Sequence, residues 1–115
     1  MKLKKITFDN NGEKMIRKWI KSDPQIKNLT LRAVKTLPQR LEEIREAIEN
    51  KSFENAALKI HSLKGLALNF NLEEIYLITD KLNDEFKKEK YNLQKINSLY
   101  QELNKLVDII PDSYL

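Results

Sequence analysis

Residues 53–70 read Phe53-Glu54-Asn55-Ala56-Ala57-Leu58-Lys59-Ile60-His61-Ser62-Leu63-Lys64-Gly65-Leu66-Ala67-Leu68-Asn69-Phe70. Their apolar positions recur at the three- and four-residue spacing of an α-helix. On a wheel of about 100° per residue, Phe53, Ala56, Ala57, Ile60, Leu63, Ala67 and Phe70 cluster on one side, which is the expected core face. His61 falls about 120° from the centre of that face, so its imidazole is expected to reach solvent on the flank of the helix. Ser52 is a plausible N-cap. Asn71 tolerates the left-handed conformation that ends a helix, and with Glu74 three residues on it can also cap the next one.

Outward from this stretch the same period repeats. Upstream, a helical pattern runs from Pro24 to about Asn50. Asp23 is its expected N-cap, and the stripe is Ile26, Leu29, Ala33 and Leu37, then Leu41, Ile44 and Ile48. Pro38 lacks a backbone donor and clashes with the preceding turn, so a kink or a break is expected near Thr36 to Pro38. Downstream, Leu72, Ile75, Thr79, Leu82 and Phe86 mark a third helix. Beyond a cap at Asn92, Leu93, Ile96, Tyr100, Leu103, Val107 and Ile110 mark a fourth, which Pro111 helps to stop. Residues 4–8 could form an extended arm, and Met15, Ile16, Trp19 and Ile20 predict a short helix before Pro24. The expected fold is all-α: an antiparallel up-and-down four-helix bundle with a short N-terminal helical appendage. The expected boundaries are 1–23 for the arm and short helix, 24–110 for the bundle and 111–115 for the tail.

Composition narrows the chemistry. The chain has 115 residues, enough for one domain. It has no cysteine and one histidine, which removes disulfides, thiolate nucleophiles and the usual zinc ligand sets. No apolar run is long enough to span a membrane. The basic N-terminus lacks the apolar segment of a secretion signal, so a cytoplasmic protein is expected. The net charge of +4 raises the possibility of a nucleic-acid partner. Most of the basic residues, however, are lysines that alternate with acidic residues, as on a solvated helix face. No nucleic-acid partner is expected.

The flank around His61 carries the functional signal. Lys64 at i+3 and Gly65 at i+4 adjoin the imidazole on the next turn. A lysine there can supply positive charge to an anionic group on the ring. A helix-interior glycine costs roughly 1 kcal/mol relative to alanine, and clearance for an approaching partner is one reason to accept that. Leu58 and Leu68 extend the stripe on either side of His61, like a docking surface. Blander alternatives remain at this point: Gly65 as a helix-packing contact, Leu58 and Leu68 as part of a wide core face, and Lys64 as ordinary surface charge.

The segment from Ala56 to Leu72 resembles the signature of histidine-containing phosphotransfer (HPt) domains, a small-residue-rich turn followed by His-x-Leu-Lys-Gly and then Asn-Leu-Gly. His61, Leu63, Lys64, Gly65 and Asn69 match as they stand. Phe70 stands for a leucine and Asn71 for a frequent glycine, whereas Leu66 and Leu68 depart from the usual small residues. Leu37-Pro38-Gln39-Arg40-Leu41 is similar to a stretch common in the family's preceding helix.

The resemblance implies a phosphocarrier rather than an enzyme. His61 would be phosphorylated, Lys64 would neutralise charge and Gly65 would give access. Leu58, Leu68, Arg40 and Glu43 would dock the partner, with Arg40 and Glu43 exposed on the preceding helix. The partner would be the receiver domain of a response regulator or hybrid kinase, which would bring the Mg²⁺. The chain would have no cofactor or metal of its own, and it is expected to be a monomer. Two glycines cannot build a nucleotide-binding loop of the Gly-x-x-x-x-Gly-Lys type. The competing readings are a helical adaptor that docks to a receiver or other protein without transfer, and a basic nucleic-acid binder.

Overall fold

A computed structural model describes residues 24–110 of the chain. They form five helices: α1 (Pro24–Lys35), α2 (Leu37–Glu49), α3 (Phe53–Asn69), α4 (Glu73–Phe86) and α5 (Leu93–Asp108). No strand occurs among the described residues. The expected arm, short helix, Asp23 cap and Pro111 stop lie outside the described residues.

The interruption expected at Pro38 is a break, and it is one residue long. Pro38 sits in the first turn of α2, where its missing N–H costs no hydrogen bond. Thr36 separates the two helices. Its hydroxyl donates to the Ala33 carbonyl at 2.6 Å, and its own carbonyl accepts from the Arg40 N–H at 3.0 Å. In α1 the inward positions are Thr30, Ala33 and Val34, whereas Leu29 is 52% exposed. Of the expected stripe, Ala33 and Leu37 are buried and Leu29 is not, while the Ile26 side chain lies outside the described residues. Thr30 takes a core position, so the apolar pattern pointed to Leu29 instead.

The next two connections use the same device. Lys51 and Asn71 both adopt positive φ, at 58° and 57°. The N–H of Ser52 bonds the Ala47 carbonyl at 2.8 Å, and that of Lys51 bonds Ile48 at 3.1 Å. The N–H of Leu72 bonds Ala67 at 2.9 Å, and that of Asn71 bonds Leu68 at 3.4 Å. Each pair of bonds is a Schellman ending, which satisfies carbonyls left over at a helix C-terminus. The turn after α3 is so tight that Leu72, fully buried, occupies the N-cap position of α4. Asn71 therefore ends α3 but does not cap α4 as expected, and Leu72 closes the next helix through backbone bonding alone. Ser52 occupies the N-cap of α3 without a side-chain cap bond. Asn92 does cap α5, its side chain accepting from the Lys95 N–H at 3.1 Å.

These short turns, with a longer one after α4, make α2 to α5 successive antiparallel neighbours. Their core includes Leu41 and Ile44 from α2, Ile60 and Leu63 from α3, Ile75 and Leu82 from α4, and Ile96 and Leu103 from α5. Each such side chain contributes roughly 1.5–3 kcal/mol by leaving water. Tyr100 of α5 closes the ring of helices by donating to the Leu41 carbonyl of α2 at 3.1 Å. At one end, Tyr91 packs between Phe53 and Phe86, with ring centroids 4.9 and 5.9 Å away. No described helix is long and apolar enough to cross a membrane.

The long turn after α4 is tied down by a nearly buried carboxylate. Glu85 is 3% exposed, and its Oε2 receives Lys88 Nζ at 2.8 Å and Lys95 Nζ at 3.3 Å. The hydrogen bonds from Lys88 and Lys95 hold the Glu85 carboxyl below the usual glutamate range, against the opposing effect of burial. A carboxyl with a lowered folded pKa adds stability above the unfolded pKa and loses it as pH falls through the lowered value. Glu85→Gln should therefore narrow the gap between melting temperatures at neutral and acid pH. Thermal unfolding across that range checks this, and an unchanged gap would contradict it.

Candidate functional site

The rotation of α3 is set by its buried residues. Ile60 and Leu63 are fully buried, as are Ala56 and Ala67, and Phe53, Ala57 and Phe70 pack partly buried beside them. His61 is consequently exposed, on the flank where the wheel places it. Among the described residues its imidazole takes part in no hydrogen bond or ion pair. Both ring nitrogens are thus open to a partner from solution.

Gly65 is exposed one turn further on, in helical conformation. A Cβ built there would have nothing within 4 Å. The helix-packing reading of this glycine therefore fails, because no neighbouring helix approaches it. Leu58 is 68% exposed and Leu68 is 63% exposed, so the core-face reading of these leucines fails as well. Positions 58, 61, 65 and 68 form one uncovered stripe, apolar at both ends with imidazole and bare backbone between.

Lys64 is half-buried and turned towards α4. Its Nζ lies 2.8 Å from Asp80 Oδ1 and 5.7 Å from the Tyr76 ring centroid. The Asp80 carboxylate raises the Lys64 ammonium above the ordinary lysine range, so the lysine carries a full charge one turn from His61.

Arg40 and Glu43 were expected to be exposed on the preceding helix. Both are instead half-buried and engaged with α3. Arg40 donates from Nε to Thr36 Oγ1 at 3.0 Å and from Nη1 to Ser62 Oγ at 3.4 Å. Glu43 accepts from Gln39 at 3.2 Å and from Lys59 Nζ at 3.4 Å. Gln39 and Lys59 hold its carboxyl below the usual range. These two residues flank the histidine stripe, but they also anchor it.

The structure adds residues that the sequence pattern did not single out. Leu77 on α4 is 57% exposed. With Ala67, Leu68, Asn71, Glu73 and Tyr76 it lines a shallow groove of about 280 Å³ between α3 and α4. The groove continues the uncovered apolar surface beyond Leu68. Asp80 and Ser62 are the other two. Helical periodicity tells which side of α4 Asp80 occupies, but not that Lys64 would reach it.

A bundle that presents one exposed histidine on its second long helix, between two uncovered leucines and a clearance, is a surface for exchange with another protein. The chain belongs to the Hpt domain family, whose model matches residues 32–111. The match covers α2 to α5 and the last turn of α1. Members of this family serve two-component phosphorelays, in which they carry phosphoryl groups and interact with receiver domains. No curated protein and no solved structure matches the chain.

The open space at Gly65 has a measurable consequence. Gly65→Ala should stabilise the fold by about 1 kcal/mol through helix propensity alone, read from denaturant unfolding. A loss of stability would mean that the glycine sits in a close contact.

Proposed function

We propose that this chain relays a phosphoryl group between receiver-domain aspartates through His61. The observation that carries the reading is the uncovered stripe Leu58-His61-Gly65-Leu68 on an otherwise well-packed helix. An unpartnered imidazole lies there beside bare backbone, flanked by apolar side chains that a monomer leaves in water.

The chemistry follows from the ring. His61 attacks through Nε2 in its neutral form, with the proton kept on Nδ1. The P–O bond of the receiver's aspartyl phosphate breaks as the P–N bond forms. The aspartate leaves as a free carboxylate, and the phosphoryl group stays on His61 until a second carboxylate takes it by the reverse step. Such transfers need in-line positioning and charge neutralisation more than further covalent chemistry. Lys64 supplies charge one turn away, and Gly65 leaves room for the receiver's loops to approach in line. The receiver brings the aspartate and the Mg²⁺. The chain acts as a phosphocarrier without a cofactor or metal of its own, as a monomer in the cytoplasm, with residues 24–110 as the working unit.

The receiver docks on Leu58 and Leu68, with Leu77 extending the apolar area and with Arg40 and Glu43 at the α2 edge. Arg40 and Glu43 keep their bonds to Ser62 and Lys59, so they offer the partner their outer edges only.

Phosphoryl transfer from a panel of labelled, phosphorylated receivers tests this reading. The wild-type chain should acquire an acid-labile, base-stable label from at least one receiver, and His61→Gln should acquire none. A folded wild-type chain that binds a receiver but takes no label would leave a docking adaptor. The surface has its own test. Leu58→Asp and Leu68→Asp should each slow transfer at least about tenfold, as expected for an anchor worth more than ~1.4 kcal/mol at an interface, with helicity and melting temperature unchanged. A loss of helicity in either variant would contradict its placement outside the core.

A further inference from the structure

Lys64 has one ammonium and two claimants. In the structure the ammonium belongs to Asp80, at 2.8 Å, with the Tyr76 ring beneath it at 5.7 Å. His61 lies one turn back on the same helix, within reach of a lysine side chain at i+3. A phosphoryl group on the imidazole would carry close to two negative charges and three acceptor oxygens, against one charge on Asp80. The Asp80 side chain is 42% exposed, and an ion pair so open to water is weakly held. Asp84 adds a smaller attraction from the same helix. The ammonium therefore rests at an acidic edge of α4, on a side chain rooted one turn from the place where a phosphoryl group would arrive.

We propose that Asp80 is a positioning residue that holds Lys64 in the resting chain and competes with the phosphohistidine for it. The proposal rests on the phosphotransfer reading of His61. Phosphorylation draws the ammonium from Asp80 to the phosphoryl oxygens, and Asp80 limits how firmly it stays there. Asp80 thereby keeps the phosphoryl group transferable, because a phosphohistidine that held the lysine unopposed would be harder to discharge. Tyr76 is the fixed surface over which the ammonium moves. Its ring attracts the cation without taking it from either anion.

The experiment needs no receiver. Phosphoramidate phosphorylates imidazole directly: its P–N bond breaks, ammonia leaves, and a new bond to Nε2 forms while Nδ1 keeps its proton. The ³¹P resonance of the phosphorylated chain is then followed against pH, which reads the second ionisation of the phosphoryl group. A nearby ammonium favours the dianion and lowers the pH of that ionisation. Asp80→Asn should lower it by about half a pH unit, or about threefold in proton affinity. Asp80→Glu should behave as wild type. In a Lys64→Met background the Asp80→Asn effect should vanish, because the competition acts through the lysine.

An unshifted ionisation in Asp80→Asn, or one that moves upward, overturns the competition. So does an equal shift with and without Lys64, which would be the direct field of a carboxylate. A folded chain that takes no phosphoryl group on His61 from phosphoramidate overturns the phosphotransfer reading, and the competition with it. A phosphorylated chain with an indifferent Asp80 overturns the competition alone.

Discussion

The burial of Ile60 and Leu63 governs the rest of the site. One lies just before His61 and the other two residues after it, and both are completely removed from water. At about 100° per residue, these two positions leave α3 a single rotation. That rotation puts Leu58, His61, Gly65 and Leu68 outside and places Lys64 at the α4 edge. Turning the helix to cover the leucines would expose Ile60 or Leu63, at roughly 1.5–3 kcal/mol for each large side chain brought into water. The exposed stripe is therefore a consequence of the core as well as a surface feature.

Polar contacts then hold α3 on both sides. Arg40 reaches Ser62 and Glu43 reaches Lys59 from α2, while Asp80 reaches Lys64 from α4. Each is a partly solvated contact of the sort worth about 0–1 kcal/mol, too little to decide the fold. Their value is geometric. They sit at Lys59, Ser62 and Lys64, around the histidine, and tie the positions on either side of it to α2 and α4. The two Schellman turns act on a larger scale. By ending α2 and α3 within a few residues they force each next helix back along the last, and α4 is delivered with Tyr76, Leu77 and Asp80 beside the site.

Much of this was legible in the sequence. The expected stripe of α4 and that of α5 from Ile96 onward are buried, and α3 turns its expected side to solvent, because amphipathic periodicity reports directly on burial. The spacing did not single out the buried Asn83, Glu85, Leu99 and Leu106, and Leu93, expected inside, is exposed. Asn71 announced its left-handed turn by residue type. Lys51 makes the same turn with a side chain that gives no such warning. Leu29 misled because a threonine, not an apolar residue, fills the adjacent core position. Asn71 was a reasonable N-cap for α4 until the Schellman turn shortened the connection and handed the position to Leu72. Cross-helix pairs stayed hidden, since periodicity assigns a residue to a face without naming the neighbour that face will meet. Lys64 with Asp80 and Arg40 with Ser62 are of this kind, and with them went the half-burial of Arg40 and Glu43.

Relay through His61 requires the phosphoryl group to reside on that residue and nowhere else. Its position can be mapped by fragmentation mass spectrometry, with the chain handled at neutral to basic pH after incubation with a phosphorylated receiver. Phosphate on His61 alone is the expected result. Phosphate on the adjacent Ser62, or on any residue in a His61→Gln chain, would contradict it.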